Sequence, residues 1–315
     1  MDLGPREILL LEGLQYGARP GPEPFDEVAS ALGLGVEEVL REARRLREAG
    51  ALRRFGFSFN PASLGGASAL VLASVPRERA MEYARMISSI GRSKHSYVRS
   101  FPRYNLWFTY RAANEEVLRE EVGSLLSRLG VGDAVVLATR RTCKLSVKYD
   151  LERGTSWSPP GVLRPDPPRL GELGMDGGLA RGLQDLPLSR RPFRELASRI
   201  GETEEGLLDL VQEAASRGTV ADFGAVLEPE AVGIRHGAVV MGKGGEEECE
   251  ALAREVPEAT HAILREPVEG RWDLRVYFVV HARNRADSDA LVDRAQRLAG
   301  IEGAEAAYGE GGFTA

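Results

Sequence analysis

Phe25-Asp26-Glu27-Val28-Ala29-Ser30-Ala31-Leu32-Gly33 returns in the second half of the chain as Phe193-Arg194-Glu195-Leu196-Ala197-Ser198-Arg199-Ile200-Gly201. Carried forward without gaps, Gly50 meets Gly218, Phe55-Gly56 meets Phe223-Gly224, and Gly65 meets Gly233. Self-similarity on this scale marks an internal duplication. After Gly33, Val36, Val39, Leu40, Ala43 and Leu46 fall at helical spacing, Gly50 stops the helix, and Ala51 to Phe59 reads as a strand. Helix, tight turn, helix and strand is the winged helix-turn-helix order.

The next block alternates differently. A strand over Ser68 to Val75 precedes a helix over Arg77 to Ile90, then two strands around His95 and Tyr104, a helix over Asn114 to Leu129, and a strand over Asp133 to Tyr149. That βαββαβ order is ferredoxin-like, and it recurs from about His236 to Tyr308. Between the halves, Pro159, Pro160, Pro165, Pro167 and Pro168 cluster without periodicity, as in a linker. The expected class is α+β, a tandem duplication. Winged helix-turn-helix units fall at 1–60 and, degenerate, at 179–228, ferredoxin-like units at 61–153 and 229–315, and a linker at 154–178. The two halves are expected to pair as pseudo-identical subunits, with a further homodimer compatible.

At 315 residues, with 43% hydrophobic and 28% charged residues, the chain has the composition of a soluble protein with more than one core. Its apolar runs fall short of a membrane span, and its N-terminus lacks a basic-then-apolar signal layout. Cys143 and Cys249 give neither a disulfide framework nor metal-ligand spacing, so a reduced, cytoplasmic protein without a metal site is expected. The net charge of -6 argues against a nucleic-acid coat. Glu37 and Glu38, and Glu202, Glu204 and Glu205 in the second copy, occupy the helix turn that would face phosphate. DNA binding is therefore disfavoured.

Both ferredoxin-like units carry a His and an Arg four residues apart on a short strand: His95-Ser96-Tyr97-Val98-Arg99 and His261-Ala262-Ile263-Leu264-Arg265. Alternate strand residues share a face, so His95, Tyr97 and Arg99 point one way, as do His261, Ile263 and Arg265. A histidine exchanges protons near neutral pH and an arginine grips carboxylates in bidentate fashion. Shared structural need, such as a cross-strand hydrogen bond, also explains a repeated pair. Lys144, Ser146 and Lys148 alternate with apolar residues and make one face of a strand basic. His236 and His281 find no match in the other half and receive no role.

The run His95-Ser-Tyr-Val-Arg99 followed by Tyr104-Asn-Leu-Trp-Phe-Thr109 resembles the signature of the siroheme decarboxylases, relatives of the Lrp/AsnC regulators. Leu52-Arg-Arg-Phe-Gly56, Leu64-Gly65 and Lys144-Leu-Ser-Val-Lys-Tyr-Asp150 resemble that family too. The likeness spans residues 1–150 closely and 180–315 loosely, where Ile263 and Arg275 stand for Tyr97 and Trp107. It implies loss of CO2 from the C12 and C18 acetates of siroheme, in the cytoplasmic making of haem or haem d1. It further implies His95 and His261 as catalytic residues, and Tyr97, Arg99, Trp107, Lys144 and Arg265 as substrate-binding residues. No cofactor is implied, since the iron belongs to the substrate. One principal pocket, lined mainly by the first half, is expected. The rival readings are an Lrp-like regulator sensing haem or a small ligand, and a non-catalytic tetrapyrrole carrier.

Overall fold

The structure, a computed structural model, describes residues 3–93 and 95–314. Helices α1 (Pro5–Glu12), α2 (Asp26–Leu32) and α3 (Val36–Glu48) precede a wing strand, β1 (Leu52–Phe59). Gly33 turns the chain between α2 and α3 at φ 65°, where a residue with a Cβ is strained. The first ferredoxin-like unit follows as β2 (Ala67–Ala73), α4 (Ala80–Ser88), β3 (His95–Arg99), β4 (Leu106–Ala112), α5 (Glu115–Arg128) and β5 (Ala134–Leu145). Two short strands, β6 (Tyr149–Asp150) and β7 (Thr155–Ser156), lead into the second half. There α6 (Gly177–Gln184), α7 (Pro192–Ile200), α8 (Glu204–Ser216) and β8 (Val220–Leu227) repeat the helix-turn-helix and wing. The second ferredoxin-like unit is β9 (His236–Lys243), α9 (Glu246–Glu255), β10 (His261–Arg265), β11 (Val276–Ala282), α10 (Arg285–Ala299) and β12 (Glu302–Thr314).

The two wings form one antiparallel ribbon, with Phe55 opposite Ala225, Gly56 opposite Gly224 and Phe57 opposite Phe223. The phenylalanines cluster on it, with ring centroids of Phe57 and Phe223 4.6 Å apart and those of Phe25 and Phe55 4.7 Å apart. The glycine pair lets helix ends come close. A Cβ on Gly56 would collide with the Leu183 carbonyl, and one on Gly224 would stand 2.9 Å from that of Leu14. Both glycines have φ in the range that favours glycine.

Among the described residues the ferredoxin-like strands close into a ring, in the order β10-β5-β2-β4-β3-β12-β9-β11 and back to β10. The last strand of each unit is shared between the halves. β5 pairs with β2 through Ala134 to Ala138, then with β10 through Thr139 to Leu145. β12 pairs with β9 through Glu302 to Tyr308, then with β3 through Gly309 to Thr314. One apolar core lies under α4 and α5, a second under α9 and α10. A third joins Leu70, Leu72 and Trp107 of the first half to Met241, Tyr277 and Ala307 of the second, inside the ring. Among the described residues no helix is long and apolar enough to cross a membrane.

The crossing of β5 corrects the reading of the cysteines. Cys143, carried into the second half by β5, meets Cys249 of α9 in a disulfide with Cα atoms 6.1 Å apart. The two are 106 residues apart, and only the shared strand brings them together. A closed loop of that length is worth roughly 4–5 kcal/mol in the chain-entropy account. Unfolded without reductant, the chain should therefore release no free thiol to Ellman's reagent. Two thiols per chain would show that the bond does not form.

The Pro/Gly-rich stretch between the halves is pinned along its length. The Gly161 amide donates to the Ala253 carbonyl at 2.9 Å and the Leu163 amide to Cys143 at 2.8 Å. Asn60 Nδ2 donates to the Arg164 carbonyl at 2.9 Å.

Candidate active site

The alternation of β3 and β10 decides what faces inward. Val98 belongs to the core under α4 and α5, and Ala262 and Leu264 to the core under α9 and α10. His95, Tyr97 and Arg99, and His261, Ile263 and Arg265, therefore project to the other side, into the ring. Their charges fall within reach of one another. His261 feels His281 and His95, and His281 feels Arg99.

The two halves build a similar pair from different residues. On β3 the Arg99 guanidinium lies 4.7 Å from the Tyr97 ring centre, and the Tyr97 ring stacks on His95 at 6.2 Å. In the second half the Arg265 guanidinium lies 5.1 Å from the ring of Tyr277, on the neighbouring strand. Registers explain the exchange. Tyr97 stands opposite Trp107, and Ile263 stands opposite Tyr277. Tyr277, not Arg275, is thus the counterpart of Trp107, and it restores the aromatic surface that Ile263 lacks. The sequence carried this signal: Trp107 and Tyr277 each lie seven residues before an asparagine that caps the next helix. Asn114 Oδ1 accepts from the Val117 amide and Asn284 Oδ1 from the Asp287 amide, both at 2.9 Å.

Neither arginine has a carboxylate partner among the described residues. Arg265 donates to Thr139 Oγ1 at 3.0 Å and to the Leu137 carbonyl at 3.4 Å, and its Nε is buried with no partner among the described residues. Arg99 Nε is buried in the same state. Burial lowers both guanidiniums to about 10, still charged at neutral pH. Buried cations without counter-ions are costly, and an anionic ligand would offset that cost.

His281 was missed by sequence reasoning, because its counterpart by register is Arg111. Its ring meets Tyr149 edge-on at 5.7 Å, and Gly237 opposite makes room for it, since a Cβ there would stand 3.0 Å from His281 Cδ2. His261 Nδ1 lies 2.9 Å from Thr260 Oγ1. Burial, then His281 and His95, push the His261 imidazole down to about 3; burial, then Arg99, push that of His281 down to about 4. An unfolded histidine takes its proton near pH 6.5. From there down to about pH 4 the unfolded chain binds more protons than the folded one, so stability is retained above that window and falls as pH drops through it. The expected slope is up to about 1.4 kcal/mol per pH unit for each histidine. Melting curves of the parent and of His281→Gln from pH 7 to 4 should diverge, the variant losing less. Parallel curves would remove His281 as a source.

Two expected substrate residues are engaged by the protein's own packing and hydrogen bonds. Trp107 is in the core inside the ring, its Nε1 donating to the Tyr104 carbonyl at 2.6 Å with the Phe101 ring 5.6 Å away. It backs Tyr97 across the strand pair. Lys144 stands opposite Ala262, so it faces the α9 side of the sheet, away from His261. Its buried Nζ donates to the carbonyls of Val256 at 3.0 Å and Ser158 at 3.4 Å, and burial lowers it to about 8. The register shift between Ala262 and Ile263 sets this face, and alternation alone could not show it.

Comparison with known proteins places this arrangement. Residues 63–144 and 231–309, together just over half of the chain, match the AsnC-like ligand binding domain, and residues 183–220 match the siroheme decarboxylase NirDL-like HTH domain. The siroheme decarboxylase NirDL subunit of Paracoccus pantotrophus is 27% identical, with 96% of this chain and 93% of that one covered. The siroheme decarboxylase NirD subunit of Pseudomonas aeruginosa is 35% identical over 122 residues, 39% of this chain and 80% of that subunit. A crystal structure of the siroheme decarboxylase NirDL with an iron-uroporphyrin III analogue superposes with a TM-score of 0.62 at 21% identity, covering 97% of this chain and 91% of that one. The fold is therefore that of tandem AsnC-like units with helix-turn-helix regions, and the chain belongs to the siroheme decarboxylase family.

Proposed function

We propose that this chain is a siroheme decarboxylase that removes the C12 and C18 acetate carboxyls of siroheme, with the macrocycle held on the inner face of the strand ring. The observation that carries the reading is the convergence of His95, His261, Arg99 and Arg265 on that face, with both arginines lacking carboxylate partners among the described residues. Kinship with siroheme decarboxylases, one of them solved with an iron-uroporphyrin analogue, supports the same substrate class.

In each step the bond between the acetate methylene and its carboxylate breaks, CO2 leaves, and the electron pair stays on the methylene in conjugation with the macrocycle. One proton then completes a methyl group. The macrocycle takes up the electron density, so no organic cofactor is required, and the iron is part of the substrate. Arg99 and Arg265 would hold side-chain carboxylates in bidentate fashion. Tyr97 and Tyr277 would offer ring surface to the macrocycle. His95 would deliver the proton. His261, held neutral by burial, would gain basicity as substrate carboxylates arrive, because opposite charge favours the protonated imidazole.

The regulator reading is weakened by how the helix-turn-helix arginines are used. Arg44 donates to the Leu188 carbonyl at 2.6 Å, Arg47 pairs with Asp185 at 3.0 Å, and Arg45 pairs with Glu7 and Glu42. Arg44 and Arg47 join the two helix-turn-helix units to each other and Arg45 ties α3 to α1 within the first, rather than facing a phosphate backbone. Given siroheme anaerobically, the protein should yield a product lighter by two CO2 by mass spectrometry. Bound but unchanged siroheme would favour the carrier reading instead.

A further inference from the structure

Where β5 passes from one half to the other lies a cleft of about 860 Å³. Its walls come from β4, the start of α5, β5, and the Pro/Gly-rich connection, and its lining includes Arg111, Arg119, Arg140, Arg141, Arg164 and Arg169. Three of these are matched by acids. Arg119 pairs with Glu115 at 3.2 Å, Arg140 with Glu266 at 3.6 Å, and Arg141 with Glu246 and Glu250. Arg111, Arg164 and Arg169 have no carboxylate partner among the described residues, and Arg111 donates only to the Gly65 carbonyl there, at 3.2 Å. Arg141 Nε is buried without a partner among the described residues. One carboxylate in the lining, Asp166, has no ion pair among the described residues. The balance is an excess of guanidinium in a cavity of ligand size.

The arrangement selects among anions. A compact phosphate commonly seats on free amides at a helix start. Here the α5 start is closed, its Val117 amide taken by Asn114 and its first turn carrying Glu115 and Glu116. The unmatched guanidiniums instead come from separate segments, one on β4 and two on a connection pinned at Leu163 and Arg164. Separated forks suit carboxylates spread over one frame.

We propose that this cleft is a second binding site for a polycarboxylate, distinct from the contacts of Arg99 and Arg265, which do not line it, and independent of the decarboxylase reading. Two sources present that chemistry, a tetrapyrrole with several carboxylates and a small tricarboxylic acid. Calorimetric titrations with free-base uroporphyrin and with citrate, on the full chain, distinguish them. For the matching ligand, Arg164→Ala/Arg169→Ala should weaken one binding event about tenfold or more, while Arg99→Ala leaves that event unchanged. Loss for uroporphyrin alone assigns a tetrapyrrole, and loss for citrate assigns a small acid. Arg164 and Arg169 are exposed, so this variant should fold, and Arg111→Gln on a different element repeats the test. Affinities equal to the parent for both ligands in both variants would overturn the proposal.

Discussion

Replacing His95 by alanine is expected to lower turnover roughly 10²–10⁴-fold, the usual worth of a positioned proton donor. Binding of an iron-porphyrin should change little, because Arg99 and Arg265 carry the charge recognition. The exposed imidazole stacks on Tyr97 and is not part of the apolar cores, so its loss should leave the melting temperature near that of the parent. Single-turnover kinetics separate the chemical step from binding. A His95→Ala protein that removes both carboxyls at the parent rate would transfer the acid role to His261. That histidine is poised differently: burial beside His281 and His95 keeps it neutral until about pH 3.

The second large effect concerns the arginines. Arg99→Ala and Arg265→Ala should each weaken substrate binding roughly 10–150-fold, the range expected for hydrogen bonds to a charged group. Because the lost contact is made to substrate and transition state alike, KM should rise while kcat falls much less. Arg265 also holds Thr139 and the Leu137 carbonyl, so its variant should lose some stability that Arg99→Ala retains. Equal binding by parent and Arg99→Ala would show that this guanidinium does not meet a substrate carboxylate.

How much of this was readable beforehand depended on the range of the signal. The Phe25 and Phe193 repeats, the glycine turns and the His–Arg spacing are local patterns, and they located the helix-turn-helix units and the inward faces of β3 and β10. Pairing between distant strands is not local. The sharing of β5 and β12 between halves leaves no mark in either strand's own alternation, so the Cys143–Cys249 bond and the outward turn of Lys144 stayed hidden. Tyr277 was hidden by a longer β10–β11 connection that displaced the count from His261. Counting back from Asn284 would have recovered it. His281 needed the same count, and even then its counterpart Arg111 gives no hint of an imidazole.

The claim that the inner face of the ring is the reaction site is tested most directly by a crystal structure of the chain with iron-uroporphyrin III bound. A macrocycle inside the strand ring is expected, its carboxylates on Arg99 and Arg265, and the His95 and His261 rings facing it. A macrocycle seated only in the arginine cleft at the β5 crossing, without contact to Arg99 or Arg265, would contradict it.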